Sequence, residues 1–227
     1  MVDATIIEPA IPATPARSAA LRKLLRNPGV MFGATIITIV LLMGIFAPFL
    51  GTMGVAVDAD VRPHSVPPGS HGGNIDINLL VEGSVLYLPV QVDGALAYVG
   101  DPHFAQGDGE VALTALEASL RATLRFDVVP REQALAEFGE VTGPLAHAGG
   151  YLVPTGLDPD LNEAMRACVR AAISLIRARW GVDEHLAYAY LSAATDFDIS
   201  QVVDLTCGVH ARIRESDFEG VPRDRTP

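Results

Sequence analysis

A chain of 227 residues, 49% hydrophobic and 19% charged, can bury one sizeable core and is too apolar to be a disordered tail. The net charge of −11 is unevenly placed: Arg17, Arg22, Lys23 and Arg26 against Asp3 and Glu8 give residues 1–29 a charge of +2 and leave −13 on the rest, which argues against nucleic acid as a partner. Cys168 and Cys207 stand far apart without a CxxC spacing, so neither a zinc knuckle nor a disulfide framework is indicated.

Residues 1–20 are rich in Ala, Pro and Thr without hydrophobic period and read as part of a tail covering 1–29. Arg22, Lys23 and Arg26 then precede Val30–Leu50, an uncharged apolar run near the roughly 20 residues needed to cross a bilayer as a helix. The run predicts a single retained transmembrane helix over 30–50. With basic residues before it and Asp58 and Asp60 after it, the tail stays cytoplasmic and the remainder lies outside the plasma membrane. Leu24-Leu25-Arg26-Asn27-Pro28-Gly29, the run through Phe46-Ala47-Pro48-Phe49-Leu50 and Val57-Asp58-Ala59-Asp60 together resemble the amino-terminal segment of permease subunits of dipeptide and oligopeptide ABC transporters. No second apolar span of membrane length follows, so transport by this polypeptide alone is physically implausible.

Residues 51–65 read as a junction and 66–227 as a second domain. Pro67-Pro68-Gly69 breaks the chain, and His71-Gly72-Gly73-Asn74-Ile75-Asp76 forms a polar, glycine-bearing loop. Leu86–Val92 and Ala95–Val99 read as strands of a hairpin turned at Asp93-Gly94. Strict alternation from Leu116 to Val128 predicts a long strand with one buried face, and a change of phase after Ala115 predicts a bulge there. Residues 130–150 carry no clear pattern. Asp158-Pro159 starts a helix whose apolar positions Leu161, Met165, Cys168, Val169, Ala172, Ile173, Ile176 and Trp180 share one face and which Gly181 ends. A second helix from about Asp183 and strands at 202–205 and 209–213 complete an α+β arrangement.

The stretch Gly100-Asp101-Pro102-His103-Phe104-Ala105-Gln106-Gly107-Asp108-Gly109-Glu110 gathers three carboxylates, an imidazole and an amide, placed by these assignments on a loop held by rigid strands. That stretch, the 67–76 loop, Thr155-Gly156 and Ile199-Ser200-Gln201-Val202-Val203-Asp204 together resemble the carboxy-terminal half of the acetamidase/formamidase family of amide hydrolases, over about Gly54–Phe218. The resemblance implies a β-rich, partial domain of that fold, a small amide such as acetamide or formamide as substrate, and a homodimer. Members of the family are longer, and a permease-like segment stands where their amino-terminal half would be, so a fusion of two partial genes, inactive as an enzyme, is the competing reading.

Amide hydrolysis needs a nucleophile, a polarised carbonyl and a proton for departing ammonia, which carboxylates and histidine supply when they hold a divalent metal. On this reasoning Asp76, Asp101 and His103 are the metal ligands, suited to zinc, with calcium as the alternative. Glu110 is the general base and acid, with Asp108 as its alternate or as the group holding His103. Asn74 and Gln106 hydrogen-bond the amide.

Overall fold

The computed structural model describes residues 26–35, 38 and 49–221, which fall into two compact units divided after Leu42. In the first, residues 28–35 are helical. The Asn27 side chain accepts from the amides of Gly29 and Val30 at 3.0 and 3.3 Å, and Pro28 occupies the first helical position, where its missing N–H costs nothing. Among the described residues no helix is long and apolar enough to cross a membrane. The span expected at 30–50 otherwise lies mostly outside them.

Phe49 and Leu50, its last two residues, stand elsewhere, in a strand of the second unit. That strand, β1 (Phe49–Gly54), runs into the region expected to be a junction. It is the second strand of an antiparallel sheet ordered β2 (Gly72–Asn74), β1, β4 (Tyr98–Ala105), β5 (Leu116–Glu117). Register pairs Phe49 with His103 and Thr52 with Asn74.

The second antiparallel sheet is ordered β3 (Val85–Tyr87), β6 (Leu145–Ala148), β7 (Tyr151–Asp158), β9 (Cys207–Arg214), β8 (Asp196–Gln201). Strands β6 and β7 are joined by Gly149-Gly150, both at positive φ, as a two-residue hairpin of this twist requires. Alternation along these strands gives the sheet two buried faces. Leu145, Leu152 and Ile213 meet helix α2 (Leu161–Trp180) through Ala172, Leu175 and Ile176, while Ala146 and Val153 on the other face meet Ile75, Ile77 and Leu80. The close approach of α2 to β7 depends on Gly156, where a Cβ would lie 2.0 Å from the Ala164 carbonyl oxygen. Helix α1 (Arg131–Phe138) contributes Phe138 to the same core, and α3 (Glu184–Ala194) adds Ala187 and Leu191.

Several sequence expectations are corrected here. Asp93-Gly94 does turn, with the Ala95 amide donating to the Val92 carbonyl, yet no hairpin forms, because β3 pairs with β6 and β4 with β1. The run 116–128 is strand only at Leu116–Glu117, and its apolar side chains, including Phe126 at 69% and Val128 at 86% exposure, have no sheet beneath them. The register shift in this pairing falls between His103 and Ala105 of β4, across the sheet from the expected bulge. Helix α2 is capped by Asp160, whose carboxylate accepts from the Asn162 and Glu163 amides, two residues beyond Asp158. Residues 202–205 form no strand; the strand before β9 is β8, ending at Gln201.

Candidate active site

Four segments meet beside β1. Asp76 follows β2, and its amide and that of Ile75 both donate to the Gly51 carbonyl at 3.2 and 3.1 Å. Asp101 and His103 lie on β4 itself, within the sheet, whereas the sequence placed them on a loop. Glu110 closes the loop after β4. The fourth segment follows β8: the Gly109 amide donates to the Ser200 carbonyl at 3.1 Å and the Val202 amide to the Gly109 carbonyl at 3.0 Å, which brings Asp204 alongside Glu110. Asp76, Asp101, Glu110 and Asp204 all hold positive φ (45°, 51°, 38° and 62°). Such conformations cost on the order of 1–3 kcal/mol each in non-glycine residues and concentrate at functional sites.

Asp76 and His103 are fully buried, Glu110 is 8% and Asp204 7% exposed, and Asp101 is the open side of the cluster. Ligand-type atoms of Asp76, Asp101 and His103 all lie within 4.8 Å of one another, and so do those of Asp76, Glu110 and Asp204. His103 Nε2 stands 3.2 Å from Asp101 Oδ2 and 3.9 Å from Glu110 Oε1.

One proton of His103 is placed by Gln106. Its Nε2 donates to the Asp76 carbonyl at 2.7 Å and to the Ser200 carbonyl at 3.4 Å, so Oε1 is the atom 2.8 Å from His103 Nδ1. An acceptor there places a proton on Nδ1 and leaves Nε2 facing the Asp101 and Glu110 carboxylates. That nitrogen and a carboxylate oxygen 3.2 Å away need a proton or a cation between them. Both Asp76 oxygens, His103 Nε2, Glu110 Oε2 and Asp204 Oδ2 are buried with no hydrogen-bond partner, each a cost of about 1–3 kcal/mol if left so. These donors fit a divalent metal.

The electrostatics agree. Burial, then the charges of Glu110, Asp204 and Asp101, push the Asp76 carboxyl up to about 9. Glu110 is also raised, first by burial, as is Asp204. The charges acting most strongly on these three groups are one another's and those of Asp101 and His103; the chain's single lysine, Lys23, lies outside the described residues.

A sequence model of the Acetamidase/Formamidase family matches residues 47–213. The chain belongs to the acetamidase/formamidase family. Acetamidase from Mycolicibacterium smegmatis is 28% identical, over 63% of this chain and 41% of its own length, and a putative formamidase from Schizosaccharomyces pombe is 30% identical over 65% and 41%. This chain thus spans about two fifths of the length of these curated relatives. The crystal structure of an acetamidase from Bacillus halodurans superimposes with a TM-score of 0.63 at 25% identity, covering 77% of this chain and 57% of that one. A second sequence model, the N-terminal transmembrane domain of oligopeptide transport permease C, matches residues 15–68.

Against this acetamidase/formamidase frame, the expected ligands Asp76, Asp101 and His103 converge with Glu110, whereas Asp108 stands apart, its Oδ1 accepting from Asn78 Nδ2 at 3.0 Å. The group that holds His103 is Gln106, not Asp108, and both ends of the Gln106 amide are taken by the protein. Asn74 Oδ1 accepts from Thr52 Oγ1 at 2.8 Å. Sequence reasoning missed Asp204, quoted within a motif but read as strand, and Gly51, where a Cβ would lie 2.7 Å from both Asp76 Oδ1 and His103 Cε1.

Proposed function

We propose that the chain hydrolyses the carbon–nitrogen bond of small linear amides, acetamide or formamide, to carboxylate and ammonia, with a divalent cation at Asp76, Asp101 and His103. The observation that carries this reading is the convergence of His103 Nε2 with Asp101 Oδ2 and the orphaned oxygens of Asp76, beside a buried glutamate. A cation bound there, for which the imidazole and carboxylate set suits zinc, supplies Lewis acidity toward a carbonyl oxygen and lowers the pKa of water.

The remaining work falls to the chain's own groups. Gln106 fixes the tautomer and plane of His103. Glu110, held above the ordinary carboxylate range by burial, takes a proton from the attacking water and returns it to the departing amine. Asp101, on the open side, marks where a small amide enters, and burial of Asp76 and His103 keeps bulk water away.

Ammonia release from acetamide and formamide by the full chain, measured with added zinc and after chelation, tests the proposal. Glu110→Ala and His103→Ala are expected to lower kcat/KM by at least about 100-fold; turnover untouched by both would refute the assignment. The apolar run beginning at Val30 would hold the enzyme at a membrane, a reading supported by its likeness to a permease segment. Recovery of the chain in an alkali-washed membrane fraction is the expected result.

A further inference from the structure

We propose that Ser200 and His210 are positioning residues for the hydrolytic step: their hydrogen bond fixes a bulge in β8 that aims the Ser200 carbonyl at the loop carrying Glu110. The inference rests on the amidase reading above and assigns the pair a role in it. Ser200 Oγ lies 2.8 Å from His210 Nδ1, and the two residues are 2% and 1% exposed.

The geometry starts in the β8–β9 pairing. Ile199 pairs with Val209 but Gln201 with Gly208, so Ser200 is the extra residue of a bulge, a device that re-aims backbone and side chain. Gly208 leaves room for it, since a Cβ there would lie 3.3 Å from Ser200 Cβ and 3.4 Å from Gln201 Cγ. Val209 and Ala211 pack on α2 with Ala164 and Cys168, so alternation turns His210 to the other face of the sheet. From there its ring meets the bulged serine. The Ser200 carbonyl then accepts from the Gly109 amide at 3.1 Å and from Gln106 Nε2 at 3.4 Å. With the Val202 amide donating to the Gly109 carbonyl, the residue before Glu110 is held on both sides.

The far side of the imidazole is also anchored. His210 Nε2 is 3.9 Å from Asp198 Oδ2, and Arg212 Nε stands 2.7 Å from the same oxygen. Burial pushes the His210 ring down to about 4, so it is neutral at neutral pH and carries no charge into the interior. Replacing both partners of a buried hydrogen bond by apolar groups can be nearly neutral for stability. What this pair adds is direction: it sets where the Ser200 carbonyl points.

Ser200→Ala removes one oxygen, His210→Phe keeps the ring and loses Nδ1, and His210→Asn keeps a polar atom close to the Nδ1 position. At saturating zinc, the first two full-chain variants are expected to lower kcat for acetamide at least about tenfold with KM changed less than about twofold. Hydrogen exchange followed by mass spectrometry should show the 106–110 backbone opening at least about tenfold more readily, with the circular dichroism spectrum kept. His210→Asn should bring both readouts back toward wild type. Unchanged exchange at 106–110 in Ser200→Ala, or no rescue by His210→Asn in a folded protein, overturns the positioning role. Should both His210 variants fail to fold, Ser200→Ala decides. A wild-type chain that releases no ammonia overturns the amidase reading, and with it the catalytic part of this proposal, while exchange still reports whether the pair holds the loop.

Discussion

Gln106 Oε1 lies 2.8 Å from His103 Nδ1, and the same amide spends its nitrogen on the Asp76 and Ser200 carbonyls. One side chain therefore sets the imidazole tautomer and links three of the four segments that build the cluster. Gln106→Ala removes both functions without touching a ligand atom. Loss of such an outer partner typically costs about 10–100-fold in metal affinity. Zinc affinity measured by competition with a chromophoric chelator should fall by that factor while the circular dichroism spectrum is kept; unchanged affinity would remove Gln106 from the site.

Asp76 should make the stability of the cation-free chain fall with pH. Its carboxyl is pushed up to about 9 in the fold, chiefly by burial, against an ordinary value of 3.8. The folded state therefore holds a proton that the unfolded chain releases, so this contribution is complete below about pH 4 and is lost as pH rises toward 9. The thermal midpoint of chelated protein is expected to decline across this window, and Asp76→Asn to flatten the decline. Zinc should reverse it, because the cation replaces the proton. A wild-type profile that is flat without metal would contradict the burial argument.

How much of this was legible in the sequence depended on whether the deciding contact was local. Helix α2 was read nearly to its ends, because apolar spacing from Leu161 to Trp180 and the αL glycine at Gly181 are written along the chain. The hairpin at Asp93-Gly94 failed for the opposite reason: the turn formed, but the partners of β3 and β4 lie far away in sequence. Gly149-Gly150 is a local signal for the β6–β7 turn, both residues standing at positive φ. At the site, residue types announced Asp76, Asp101, His103 and Glu110, whereas Asp204 reaches them only through the remote bridge between Gly109 and Gln201. Gly51 was hidden by the apolar run before it.

Gly51 gives a steric test. A Cβ there would stand 2.7 Å from Asp76 Oδ1 and 2.9 Å from His103 Nε2, inside any contact distance; the His103 ring is held by Gln106, and the Asp76 backbone by the Gly51 carbonyl and Gln106. Gly51→Ala is expected to cost about 1–3 kcal/mol of stability, the usual range for overpacking a tight site, and to lower zinc affinity at least tenfold. Gly107→Ala is the control, since nothing lies within 4 Å of the added methyl group. Equal behaviour of the two variants in denaturant titration and metal competition would show that Gly51 does not shape the site.

The exposed run after β5 makes the last prediction. Leu120, Leu124, Phe126 and Val128 alternate with polar residues as a half-buried strand would, yet they are 40%, 39%, 69% and 86% exposed. An unpaired segment with alternating apolar side chains exposed is a template for strand addition and aggregation. Because Phe126 and Val128 bury little, replacing them with serine should change unfolding free energy by less than about 0.5 kcal/mol each. The same changes should raise the temperature at which heated protein begins to scatter light. Helix α2 offers the contrast: Ile176 is fully buried among Leu152, Leu175 and Ile213, and Ile176→Ala should cost about 2–5 kcal/mol. A comparable loss at Phe126 would mean that the run packs against a surface in solution, and the explanation of its exposure would fail.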